Sequence, residues 1–68
     1  MIIEQISVHN LQSHADVLDI ENVLSELQGV QSVTVIIPTQ TVFVRHNGNA
    51  DRLELIGKLR EVGYPELH

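Results

Sequence analysis

The spacing of apolar residues divides this chain into stretches of two different periods. From Ser13 to Leu27, apolar residues recur at helical spacing, and Gly29 follows to end the predicted helix. The stretch from Val30 to Ile37 is rich in β-branched residues and alternates along its length, which predicts a strand. A chain of 68 residues has room for few such elements, so their order decides the fold.

Two further strands are indicated on either side of these elements. The stretch from Ile2 to Val8 alternates and predicts a first strand. Pro38 suits the second position of a turn through residues 37–40, which leads into a strand from Thr41 to His46. The two strands joined by this turn are therefore expected to form a hairpin.

The last third of the chain predicts a second helix and a short final strand. Asn49 can cap the helix and Gly63 can end it. Residues 64–67 leave room for a short strand. The predicted buried stripe of this helix comprises Leu53, Ile56, Leu59 and Val62.

The resulting order β-α-β-β-α-β predicts an α+β fold, the ferredoxin-like sandwich. In it, a four-stranded antiparallel sheet carries two helices on one face, and residues 1–68 form a single domain. The opposite face of the sheet is open to solvent. Strand alternation places Ile3, Ile36 and Phe43 on this open sheet face.

Composition narrows the range of partners. The 43% hydrophobic share comes almost wholly from Val, Ile and Leu, so the core is expected to be aliphatic. The net charge of -5, with four Lys and Arg in all, argues against nucleic acid as a partner. No apolar run reaches the length of a membrane span and the first residues do not resemble a secretory signal, so we expect a cytoplasmic chain.

Two stretches of the sequence resemble heavy-metal-associated domains, the family of copper chaperones and metal-ATPase N-terminal modules. Residues 20–30, followed by Val33-Thr34-Val35, are similar to the first helix and second strand of that family. Residues 59–64, which end in Gly63-Tyr64, resemble its second helix and the step into the last strand. The resemblance implies the same sandwich fold and covers nearly the whole chain.

The resemblance also locates a departure from the family, because the chain has no cysteine. In the family frame, Ser13 and Asp16 stand where the two metal-binding thiolates usually lie, and Leu11 stands where a packing Met usually precedes them. Copper(I) favours thiolate and thioether ligands, so a Ser/Asp pair is not expected to support copper chaperone activity.

Two interpretations of this pair remain open. Ser13-x-x-Asp16 is typical of a capping box at the start of a helix, which is a purely structural role. The alternative is a harder divalent metal, zinc, nickel or cobalt, held by Asp16 with help from His14 or His9. Residues 14 and 16 point to different sides of a helix, which counts against a shared metal.

Other polar residues give weaker signals. Tyr64 resembles the family's aromatic residue beside the metal loop, and we expect its ring at the mouth of the core with the hydroxyl in water. His46 and His68 are expected to be solvated surface residues. No arrangement of nucleophile, base and orienting group is visible, so we do not expect an enzyme or a catalytic residue.

The sequence therefore favours a small non-enzymatic binding module whose cysteine site is lost. It would act by contact with another protein or with a second copy of the chain, through Ile3, Ile36 and Phe43. The first alternative is the hard-metal site at His14, Asp16 and His9. The second is a regulatory small-molecule module, although the glycine-containing loop that admits such ligands is missing. Apart from that possible metal, no cofactor is expected.

Overall fold

The computed structural model of the chain describes residues 1–67 and contains three strands and two helices. Their positions follow the sequence pattern closely, with differences of one or two residues at most ends. The elements in chain order are β1 (Ile2–Ser7), α1 (His14–Ser25), β2 (Val30–Ile36), β3 (Thr41–His46) and α2 (Arg52–Glu61). Within residues 1–67, no helix is long and apolar enough to cross a membrane.

The three strands form one antiparallel sheet in the order β1-β3-β2. Val42 of the central strand lies opposite Ile6 on one side and Val35 on the other. The predicted hairpin is confirmed, since β2 pairs with β3 and the Gln40 N–H donates to the Ile37 carbonyl oxygen at 3.0 Å.

Within residues 1–67 the sheet has three strands, whereas the sequence predicted four. Where the last strand was expected, a single bridge joins Val8 and Glu66. Two backbone hydrogen bonds hold this segment to the end of β1, from His9 to Pro65 at 2.9 Å and from Leu67 to Ser7 at 2.7 Å. Pro65 has no N–H to give to a ladder, which limits the pairing to this short contact.

The core is aliphatic, as predicted, and lies between the inner face of the sheet and the two helices. The sheet, α1 and α2 all contribute to it, which leaves the outer face of the sheet uncovered. Its fully buried members are Ile6, Val8, Ile20, Leu24, Val42, Val44, Leu55 and Leu59.

Helix α2 is turned relative to its predicted orientation. Asp51, and not Asn49, is the N-cap, and its side chain accepts a hydrogen bond from the Leu53 N–H at 3.1 Å. Leu53 is consequently 75% exposed, while Leu55 is fully buried. Val62, also predicted to be buried, lies beyond the helix and is exposed.

His46 is buried, which contradicts the expectation of a solvated side chain. It is 3% exposed, and its Nδ1 accepts a hydrogen bond from the Gly48 N–H at 3.1 Å. Its Nε2 lies 4.0 Å from a carboxylate oxygen of Glu4 and has no hydrogen-bond partner among residues 1–67. His68 lies outside the described residues.

Candidate functional site

The residues predicted to form a site surround the loop between β1 and α1. His9 follows β1, Ser13 is the N-cap of α1, and His14 and Asp16 lie in the first turn of that helix. His9, Ser13 and His14 are exposed, whereas Asp16 is half-buried. Asp16 is therefore the member of this group that the fold encloses most.

Both oxygens of the Asp16 carboxylate accept hydrogen bonds. Oδ2 accepts from the backbone N–H groups of Gln12 at 2.8 Å and Ser13 at 3.1 Å, which forms the carboxylate side of the predicted capping box. Oδ1 accepts from the Tyr64 hydroxyl at 2.7 Å. The bond from Tyr64 and then that from Gln12 hold the pKa of Asp16 below its ordinary value, because both favour the charged form.

Tyr64 reaches Asp16 from the opposite end of the chain. The turn after α2 directs it there, since Gly63 has a φ of 100° and the Tyr64 N–H donates to the Leu59 carbonyl oxygen at 2.8 Å. The ring lies in the core as expected, but the prediction of a hydroxyl in water was wrong. Burial, together with Asp16, raises the pKa of Tyr64 to about 12.

The loop itself is held on its other side by Gln40 of the hairpin turn. The Gln40 side-chain amide accepts from the Leu11 N–H at 3.0 Å and donates to the Leu11 carbonyl oxygen at 2.6 Å. It also donates to the Ile37 carbonyl oxygen at 2.9 Å. Asn10 adds a bond to the Gly63 carbonyl oxygen at 3.0 Å. No local sequence pattern signals these long-range contacts.

Hydrogen bonds to Asp16 use the one carboxylate among the predicted metal ligands. Within the described residues, no group of three or more His, Cys, Asp or Glu side chains is placed to hold a metal ion. Leu11, at the position of the family's packing Met, is buried in the core. The hard-metal site at His14, Asp16 and His9 stays a prediction.

A second candidate site is the groove on the open sheet face. The three predicted residues of this face line it together, so the fold brings them into one surface. Three polar residues complete the lining of the groove. The groove has a volume of about 320 Å³ and is lined by Ile3, Ser32, Thr34, Ile36, Phe43 and Arg45.

Comparison with known families identifies the fold. The family model of the heavy-metal-associated domain matches residues 5–65. The chain belongs to the heavy-metal-associated domain family. No curated protein sequence matches it.

Solved structures of the same architecture include metal-handling proteins. The CopZ metallochaperone superposes with a TM-score of 0.94 at 18% identity, covering 97% of this chain and 100% of that one. The N-terminal domain of ZntA in its Zn(II) form gives 0.85 at 25% identity, with coverage of 96% and 88%. The Cu(I)-loaded N-terminal domain of a potential copper-translocating P-type ATPase from Bacillus subtilis superposes with a TM-score of 0.86 at 23% identity. The match covers 94% of this chain and 81% of that one.

The donor set of this heavy-metal-associated domain does not fit copper(I). The chain contains no cysteine, and Ser13 and Asp16 offer only oxygen where the family resemblance expects thiolates. The Asp16 carboxylate is already occupied by three donors from Gln12, Ser13 and Tyr64. What the arrangement does is fasten the start of α1 to the segment that follows α2.

Proposed function

We propose that this heavy-metal-associated domain is a non-enzymatic binding module that has lost soft-metal binding and works by protein contact. The groove on the open sheet face carries the proposal. Through it the domain would contact another protein or a second copy of the chain. A cytoplasmic location is part of the same proposal.

The exposure of three large side chains supports contact at this groove. Ile3 is 59% exposed and Ile36 is 38% exposed, while Phe43 lies between them on the central strand and is half-buried. Burial of an aliphatic or aromatic side chain contributes about 1.5 to 3 kcal/mol when it is complete. Clustered exposed apolar residues often mark an interface, so a partner covering these three would gain substantially.

The Asp16–Tyr64 hydrogen bond supports the loss of soft-metal binding. A carboxylate with a lowered pKa that accepts three hydrogen bonds has a structural role at the helix start. A metal at this position would have to displace the hydroxyl of Tyr64 and the two backbone donors.

Substitution of one groove residue tests the proposal against a matched control. Ile36→Ser removes an exposed apolar side chain from the groove, and Leu53→Ser removes one from α2, outside the groove. Light scattering and capture from cell extract should show an association that Ile36→Ser weakens and Leu53→Ser retains. A wild-type protein that stays monomeric across micromolar concentrations and captures nothing would refute the proposal.

A hard-metal site is the second candidate we retain. It is supported by the exposure of His9 and His14, which stand at the two ends of the β1–α1 loop and leave both imidazoles accessible to a metal. Calorimetric titration of chelator-treated protein with zinc, nickel and cobalt tests it. Saturable heat that His14→Ala and Asp16→Ala each reduce would support this site, and no saturable heat would end it.

A further inference from the structure

The groove on the open sheet face carries a single charge. Arg45 lies on β3, opposite Ile3 of β1 and Ser32 of β2, and both neighbours are uncharged. Its side chain is exposed, and within residues 1–67 it takes part in no ion pair. An exposed guanidinium therefore lines the groove beside its apolar residues, with no counter-ion in the described part of the chain.

Among the described residues, the carboxylates that pair with arginine or lysine lie outside the groove. Arg52 of α2 pairs with Glu4 at 3.2 Å and Glu66 at 3.5 Å, and Lys58 pairs with Glu61 at 3.8 Å. None of the six residues that line the groove is acidic, although the chain carries nine Asp and Glu residues. The groove is thus positively charged, whereas the chain as a whole has a net charge of -5.

This charge pattern opposes pairing of the groove with itself. A two-fold contact presents the same surface from both sides, so the lining residues of one groove would face those of the other. None of these residues is acidic, so each guanidinium would lose water without gaining a counter-ion from the facing groove. An unpaired charge in an interface is strongly unfavourable.

We infer that the groove binds a segment of another protein that carries a carboxylate beside an aliphatic or aromatic side chain. This inference rests on the proposed function and names the partner's chemistry. The apolar side chain would lie among Ile3, Ile36 and Phe43, and the carboxylate would accept a bidentate pair of hydrogen bonds from Arg45. Phe43 and Arg45 are two residues apart on one strand, roughly 7 Å, so the partner's two groups should lie within about two residues of each other.

Selection from a displayed library of random peptides tests the inference. The baits are the wild type, Arg45→Glu, Arg45→Gln and the control Arg60→Glu, which makes the same charge change on exposed α2. We expect wild type and Arg60→Glu to enrich peptides with Asp or Glu within two positions of an apolar residue. The affinity of these peptides for the Arg45→Glu variant should be about tenfold or more lower than for the wild type, and the loss for Arg45→Gln should be smaller.

Amide chemical shifts of the selected peptide complexes then separate the possible failures. Shifts centred on Ile3, Ile36 and Phe43 with no acidic preference would overturn the inference and leave the proposed function intact. A wild-type dimer that Ile36→Ser dissociates would also overturn it, because the occupant would be a second copy. A monomer that enriches no peptide at this face would overturn both.

Discussion

The hydroxyl of Tyr64 donates a hydrogen bond to Oδ1 of Asp16 at 2.7 Å, across 48 positions of sequence. In the alignment that the family resemblance implies, Asp16 stands at the second thiolate position and Tyr64 at the position of the loop-side aromatic residue. The hydrogen bond ties the start of α1 to the segment that follows α2. Several measurable properties depend on this contact.

The first property that depends on this contact is the alkaline titration of Tyr64. Its pKa is raised from an ordinary value of 10.0 to about 12, so the neutral phenol stabilises the fold. That contribution is fully present below pH 10 and is lost as the pH rises towards 12. The chain has one Tyr and no Trp, so near-ultraviolet phenolate absorbance follows this group alone. A folded protein whose phenolate appears with a midpoint near 10 would contradict both causes of the raised pKa, the burial of the ring and its hydrogen bond to Asp16.

The stability of the fold at acid pH depends in part on Asp16. Its pKa is lowered, so its contribution to stability is present above the ordinary value of 3.8 and disappears as the pH falls through the lowered folded-state value. Tyr64→Phe removes the largest cause of this lowering. In that variant, an NMR titration of the Asp16 carboxyl carbon should show its pKa moving up towards 3.8. An unchanged pKa would mean that the hydroxyl does not reach Asp16 in solution.

Gln40 provides a test of how the loop is braced. Gln40→Ala removes three side-chain hydrogen bonds and should lower the free energy of unfolding by about 2 kcal/mol. Gln40 has a φ of 53°, a conformation that glycine adopts without strain. Gln40→Gly should therefore be roughly 1 kcal/mol more stable than Gln40→Ala. Equal stability of the two variants in urea unfolding would count against the strained turn.

The orientation of α2 can be checked by a pair of leucines. Leu55 is fully buried and Leu53 is 75% exposed. Leu55→Ala should lower the free energy of unfolding by about 2 to 5 kcal/mol, and Leu53→Ala by less than about 0.5 kcal/mol. Thermal and urea unfolding measure both. A larger loss of stability for Leu53→Ala than for Leu55→Ala would mean that α2 buries the face predicted from the sequence pattern.

Much of the fold could be predicted because two periods of apolar residues dominate the sequence. The strands from Val30 and Thr41, the helix over Ile20 and Leu24, and the hairpin turn all follow from local spacing. The face of α2 could not be predicted as well. Asn49 and Asp51 are both good caps, so the start of the helix was open. Leu53 and Leu55 can each share a helix face with Ile56 and Leu59, and tertiary packing decides between them.

The candidate site was predictable only in part for a related reason. Local pattern placed Ser13 and Asp16 at a helix start, and the family resemblance singled out Tyr64. The Tyr64 hydroxyl bond and the bonds from Gln40 join residues far apart in sequence, and no local pattern encodes such pairs. The burial of His46 was missed because a histidine at a strand end is usually solvated, whereas this one is 3% exposed.

We propose that the family frame is intact and that an oxygen-donor contact has replaced its thiolate site. Copper(I) titration against a competing chelator tests it in three proteins: wild type, the Ser13→Cys/Asp16→Cys double variant, and a Ser13→Ala/Asp16→Ala control that also loses the cap. The double variant regains two thiolates at a helix N-terminus, where the dipole favours their ionised form.

We expect thiolate-to-metal absorption and tight copper(I) binding in the double variant, and neither in the wild type or the alanine control. Circular dichroism should show all three proteins folded. Wild-type protein that competes for copper(I) as well as the double variant would contradict the loss of the site. A folded double variant without thiolate-to-metal absorption would contradict the assignment of Ser13 and Asp16 to the two thiolate positions.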